Sequence, residues 1–130
     1  VIVVDASVIV EMLLQTEAGR AITGALLDGR DTLHAPQLLD VEVAQVLRRF
    51  VLRGDLYESR AREAIDTLRV FPLTRYPHEP LLDRIWALRD NLTAYDAAYV
   101  ALAEGLRSRL LTRDARLAHA PGTSAAVQLV

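Results

Sequence analysis

Cysteine is absent from the 130 residues, which removes disulfides, thiolate zinc sites, iron-sulfur clusters and cysteine nucleophiles. A small domain without disulfides sits easily in a reducing cytoplasm, and that is the expected location. Lysine is absent as well, so all 15 basic residues are arginine. Schiff-base chemistry, a phosphate-loop lysine and the lysine that completes a receiver-type phosphoacceptor site are therefore unavailable. Long apolar runs are also missing. No stretch approaches the roughly 20 apolar residues of a membrane span. The run from Val1 to Val10 is cut by Asp5 and has no basic residue before it, unlike a secretory signal. The expectation is a soluble protein.

With 52% hydrophobic residues, a chain of this length suits one domain over residues 1 to 130, able to remove roughly two-thirds of its unfolded surface from water. The net charge of -2 does not mark a nucleic-acid binder, whose domains are usually basic. Local charge matters more here, because arginine is a planar, permanently charged fork that suits phosphates and carboxylates.

Val1 to Val4 is a β-branched run that reads as a strand buried on both faces and feeding a helix through Asp5-Ala6-Ser7. Helical patterns follow over residues 6 to 14 and 17 to 28, with Gly29 as a stop, then a short strand at Thr32 to His34. Pro36 opens a helix over Gln37 to Arg53, where Leu39, Val43, Val46, Leu47 and Phe50 recur at helical spacing before Gly54. Further helices are expected over 58 to 69, Pro77 to Asp90 and Ala94 to Leu106, with strands at Val70 to Thr74, Arg109 to Thr112 and Ala126 to Leu129. Strands alternating with helices, without hairpin signals, predict a three-layer α/β/α sandwich around one parallel sheet of about five strands.

In such a sheet the carboxyl ends of the strands and the amino ends of the helices share one edge, where ligands bind. Asp5 ends the first strand, Glu42 lies in the second turn of the helix after Pro36, Asp96 lies in the first turn of its helix, and Asp114 follows the fourth strand. All four arrive at that edge. Taken singly, each has a simpler structural role. Asp5 is placed to cap a helix, Thr93 and Asp96 have the spacing of a capping box, and Asp114 is placed to cap a short helix over Ala115 to His119. Taken together they need compensation, since two like charges about 4 Å apart repel by roughly 1 to 4 kcal/mol. A divalent cation answers this. All-oxygen ligation suits Mg²⁺ or Mn²⁺, and such ions support phosphodiester hydrolysis with water as nucleophile.

The segments VIVVDAS at 1 to 7, LLDVEVAQVL at 38 to 47, LTAYDAAYVALAE at 92 to 104 and LLTRD at 110 to 114 resemble a PIN domain, and within that family the VapC-type toxins. Each motif is short, but their order and spacing together are specific and span nearly the whole chain. The resemblance implies that Asp5, Glu42, Asp96 and Asp114 are the acidic metal-binding positions and that Ser7 and Thr112 are hydroxyl positions supporting them. It further implies a Mg²⁺- or Mn²⁺-dependent endoribonuclease, often a homodimer, that cuts cellular RNA when freed from a VapB-like antitoxin. In the family that antitoxin commonly wraps the toxin and can place an arginine among the carboxylates.

Other residues carry weaker signals. Arg113 and Arg116 flank Asp114 and are candidates for holding RNA phosphates, or for pairing with the acids beside them. Arg48, Arg49 and Arg53 form a helical stripe that reads as a solvated face rather than an RNA track. Tyr95 and Tyr99 bracket Asp96 at a spacing more typical of core or interface than of base stacking. His34, His78 and His119 lack metal-ligand spacing, and Trp86 reads as packing a helix onto the sheet or a partner. The competing function is a catalytically silent PIN-like binding module whose carboxylates only cap helices or receive a partner's arginines. Setting the four acids aside leaves 13 acidic side chains against 15 arginines, a mildly basic remainder that favours a phosphate partner.

Overall fold

The computed structural model describes residues 1–27 and 29–130. In chain order the elements are β1 (Ile2–Val4), α1 (Ala6–Leu14), α2 (Glu17–Leu27), β2 (Leu33–Pro36), α3 (Leu38–Leu52), α4 (Glu58–Val70), β3 (Leu73–Tyr76), a 3-10 turn (Glu79–Leu81), α5 (Leu82–Ala87), α6 (Ala94–Leu106), β4 (Arg109–Thr112), α7 (Ala115–Ala118) and β5 (Ala126–Leu129). The last residue of the helix expected over 17 to 28, Asp28, lies outside the described residues. The five strands form one sheet in the order β3-β2-β1-β4-β5, and every neighbouring pair is parallel. Helices cover it as an α/β/α sandwich, as the alternating pattern predicts. The helices α1 to α4 pack with one another, while α6 lies across β1, β2 and β4 and holds α5.

Burial explains the pattern of side chains. Every residue of β1 is buried, as a central strand with a helix layer on each side requires. In α3, Leu39, Val43 and Leu47 form the buried stripe at four-residue spacing. All residues of α6 from Ala97 to Ala103 are buried, and its four alanines there let the helix backbone lie close to the middle of the sheet. Gly19 allows a similar approach between α1 and α2, because a Cβ at that position would run into the Glu11 carbonyl. Among the described residues no helix is long and apolar enough to cross a membrane.

Four expectations need correction or narrowing, and three of them fall at proline. The strand expected at Val70 to Thr74 lies at Leu73–Tyr76 instead, since α4 continues through Val70 and ends at Phe71 before Pro72. The helix expected from Pro77 to Asp90 is reduced to the 3-10 turn at Glu79–Leu81, with Pro80 inside it, and the six-residue α5. Of the two surfaces expected for Trp86, the sheet is ruled out and a partner is left. Trp86 is 68% exposed, and the Arg89 guanidinium stacks 4.9 Å from its ring centroid, while Leu88 just beyond the helix takes the buried position. Pro36 itself closes β2, and α3 begins at Leu38. No Gln37 side chain caps that helix, and the Leu38 N–H instead donates to Nε2 of His78 at 2.9 Å.

Candidate active site

The chain runs outward from β1 through β2 to β3, then returns to add β4 and β5 on the other side of β1. Two crossovers therefore diverge at the β1–β4 boundary, and the carboxyl ends of those strands border the crevice where such sheets bind ligands. Asp5 follows β1 directly and Asp114 lies two residues beyond β4. Glu42 from α3 and Asp96 from the first turn of α6 join them, so that all four carboxylates line one cleft of about 440 Å³. These four arrive from four separate parts of the chain, as the topology argument predicts.

Hydroxyl groups hold Asp5 in place. Its Oδ1 accepts from Ser7 Oγ at 2.5 Å and from the Val8 N–H at 3.2 Å, and its Oδ2 accepts from Thr112 Oγ1 at 2.5 Å. Each hydroxyl also accepts a backbone N–H from the loop after β4: Arg113 N–H donates to Ser7 Oγ and Asp114 N–H donates to Thr112 Oγ1, both at 3.0 Å. Ser7 and Thr112 thus tie the end of β1 to the end of β4. Asp5 also caps α1 and Asp114 caps α7, so the structural and site readings of these residues coexist. At α6 the cap is Thr93, whose hydroxyl accepts the Asp96 N–H.

Glu42 has a partner that sequence reasoning assigned to the core. Tyr99 is 1% exposed, and its hydroxyl donates to Glu42 Oε1 at 2.6 Å. This burial excludes Tyr99 from base stacking, whereas Tyr95 is exposed. The two residues are 57 positions apart, and no local pattern signals their contact.

The electrostatics of the cleft are unfavourable to anions. Burial pushes the Asp5 carboxyl above its ordinary value, against the hydrogen bonds from Ser7, Thr112 and Val8. Burial also raises Glu42, aided by the charges of Asp96 and Asp5 and opposed by the Tyr99 hydrogen bond. Asp96 is raised by burial, then by the charges of Asp114 and Asp5. Burial and the adjacent Glu42 push the Tyr99 phenol up, which keeps it a proton donor.

Among the described residues no three histidine or acidic side chains are drawn together tightly enough to hold an ion as they stand. The carboxylates line a common cleft without forming a closed cage. Mg²⁺ is commonly held by only one or two carboxylates together with waters and substrate phosphates, and the all-oxygen donor set and the mutual repulsion that adds to the raising of Glu42 and Asp96 fit such an ion.

The arginines divide. Arg113 lines the cleft, with its guanidinium 3.8 Å from Glu11 and donating to the Val130 carbonyl at 3.0 Å. Arg116 is absent from the cleft lining, 94% exposed, and 3.5 Å from Asp114. Of the α3 stripe, Arg53 pairs with Asp55 and lies over Phe50, whereas Arg49 lines the cleft. All three arginines are exposed, as a solvated face requires, and at Arg49 that face borders the cleft. Two of the histidines have partners other than the carboxylates: His34 contacts Thr32 and Tyr76, and His78 serves the start of α3. A larger groove of about 1420 Å³ lies elsewhere, between α2, α4 and the start of β3, and contains none of the four carboxylates.

Fold and site together define a parallel α/β/α domain with an acidic, hydroxyl-supported cleft at its switch point. The chain belongs to the PIN-domain family, whose model matches residues 2–122. Ribonuclease VapC1 of Mycobacterium tuberculosis is 46% identical over 129 residues, which cover 98% of this chain and 96% of that protein. Among solved structures, PAE2754 from Pyrobaculum aerophilum superposes with a TM-score of 0.68 at 23% identity, covering 97% of this chain and 81% of its own. A toxin-antitoxin complex from Klebsiella pneumoniae gives a TM-score of 0.65 at 20% identity, covering 98% and 96%. At these identities the structural likeness is one of fold.

Proposed function

We propose that this chain is a VapC-type toxin, a Mg²⁺- or Mn²⁺-dependent endoribonuclease held in check by a cognate antitoxin. The observation that carries the reading is the meeting of Asp5, Glu42, Asp96 and Asp114 in one cleft, in a chain nearly half identical to a protein named as a ribonuclease. These four carboxylates would hold the ion. When bound, it supplies a lowered pKa for an attacking water and charge stabilisation for the phosphate and leaving oxygen. Ser7 and Thr112 keep Asp5 in a single orientation, so that the site is ordered before substrate arrives. Arg113 and Arg49 border the carboxylates and supply contacts for the flanking phosphates, and Arg116 on the rim is a further phosphate contact. The same acidity suits an arginine from a VapB-like antitoxin, which would occupy the cleft in place of the ion. Two copies of the toxin pair through exposed apolar side chains such as Leu82 and Trp86 of α5; sedimentation at twice the chain mass is the expected result, and a monomer overturns it.

The activity test is incubation of total cellular RNA with the purified chain and Mg²⁺ or Mn²⁺, with EDTA, and with Asp96→Asn. Discrete fragments that vanish in EDTA and in the variant are expected. Cleavage unaffected by both removes the shared metal site. Absence of both cleavage and ion binding favours the silent binding module, with the carboxylates acting as caps.

A further inference from the structure

We propose that Tyr99 is a positioning residue for the metal site, holding Glu42 through its hydroxyl so that one carboxylate oxygen stays directed for the ion. The inference rests on the reading of Glu42 as a ligand and goes beyond it.

Glu42 stands on α3 and Asp96 on α6, in different helices. Tyr99 lies three residues after Asp96 on α6, so the two share one face of that helix. Its ring is fixed in the core at 1% exposure, and its hydroxyl meets Glu42 Oε1 at 2.6 Å, short as a bond from a neutral hydroxyl to a carboxylate is. Among the described residues this is the only hydrogen bond to the Glu42 side chain. Occupying Oε1 leaves Oε2 free. Through this contact α6 places two of the four carboxylates, Asp96 directly and Glu42 at second hand. A glutamate side chain otherwise loses considerable rotamer freedom when it is ordered, and the phenol takes that loss during folding instead of during ion binding. A buried phenol needs some acceptor, but Tyr99 takes a carboxylate of the cleft wall.

The test compares Tyr99→Phe, Glu42→Gln and the double variant as full-length, metal-free proteins, with Mn²⁺ affinity read by calorimetry and thermal unfolding read alongside. Loss of a hydrogen-bond partner behind a metal ligand typically costs 10- to 100-fold in metal affinity. Tyr99→Phe is expected to bind Mn²⁺ about tenfold more weakly, and to regain RNA cleavage as Mn²⁺ is raised. In the Glu42→Gln background the same change is expected to cost nothing further. If Glu42→Gln weakens binding and Tyr99→Phe does not, the positioning role is overturned while the ligand reading stands. If Glu42→Gln leaves affinity unchanged, both fail. A Tyr99→Phe loss that is equal in the two backgrounds assigns Tyr99 to the core and overturns the proposal. Should Tyr99→Phe unfold alone, Tyr99→Phe/Glu42→Gln, which leaves no unpaired carboxylate, is compared with Glu42→Gln, and a further loss of affinity again overturns it.

Discussion

Thr112 shows how much of the site depends on one hydroxyl. It is fully buried, donates to Asp5 Oδ2 and accepts the Asp114 N–H, so a single oxygen serves two acidic residues from opposite ends of the chain. Thr112→Val keeps the shape of the side chain but leaves a buried carboxylate short of a donor and a backbone N–H without its acceptor. Unpaired buried groups of this kind cost about 1 to 3 kcal/mol each. The expected outcome is a fall in unfolding free energy of about 2 kcal/mol in urea titration, together with weaker Mn²⁺ binding. Unchanged stability would show that Asp5 is held adequately by Ser7 and Val8. Asp5 was legible as a candidate site residue because it stands where a strong strand pattern ends, whereas Thr112 was named only through the resemblance to the family. The contact between Tyr99 and Glu42 was not legible, because it depends on how two helices far apart in sequence are rotated toward each other.

At the scale of elements, α5, α6 and the turn before β5 meet at Glu104. Arg84 of α5 donates from Nε at 2.6 Å and from Nη2 at 3.1 Å, while Ser124 N–H and Thr123 Oγ1 donate from the turn. The Arg84 hydrogen bond leads the causes that bring the Glu104 carboxyl down to about 2 from its ordinary 4.5. The folded value lies below the unfolded one, so the stabilisation is complete above pH 4.5 and is lost as pH falls from there through about 2. Glu104→Gln is expected to flatten the stability profile across that window. Arg84 is substantially exposed, and solvent screening keeps the loss at neutral pH to about 1 kcal/mol. A variant whose acid unfolding follows the wild-type curve would remove Glu104 from the account. Element boundaries were least legible where proline intervened, at Pro72, Pro77 and Pro80. There a residue without an N–H decides whether the chain continues, and apolar spacing alone carries no such information.

For the whole molecule, the main tension is that RNA must approach an acidic cleft on a chain of net charge -2. The proposed ion neutralises the centre, and arginine on the rim must guide the backbone. Arg49 is the side chain that tests this, since it lines the cleft yet lies outside the carboxylate network. Arg49→Ala is expected to weaken binding of RNA to the Asp96→Asn protein, and to reduce the slope of log affinity against log salt by about one. Mn²⁺ affinity of an otherwise native chain should be unchanged by Arg49→Ala. An unaltered salt slope would leave Arg49 as a solvated side chain with no part in RNA binding.

The sequence by itself determined the layer architecture, the parallel sheet and the four carboxylates at its edge. Strand and helix periodicities are local, and the parallel topology then forces strand ends and helix starts to one side. Tertiary structure alone decided which arginine of the α3 stripe faces the cleft, that Trp86 points away from the sheet, and that Tyr99 closes on Glu42. These depend on the rotation of each helix about its own axis and on contacts dozens of residues apart. An apolar stripe fixes which face is buried, but it does not say which polar group will stand opposite another across the fold.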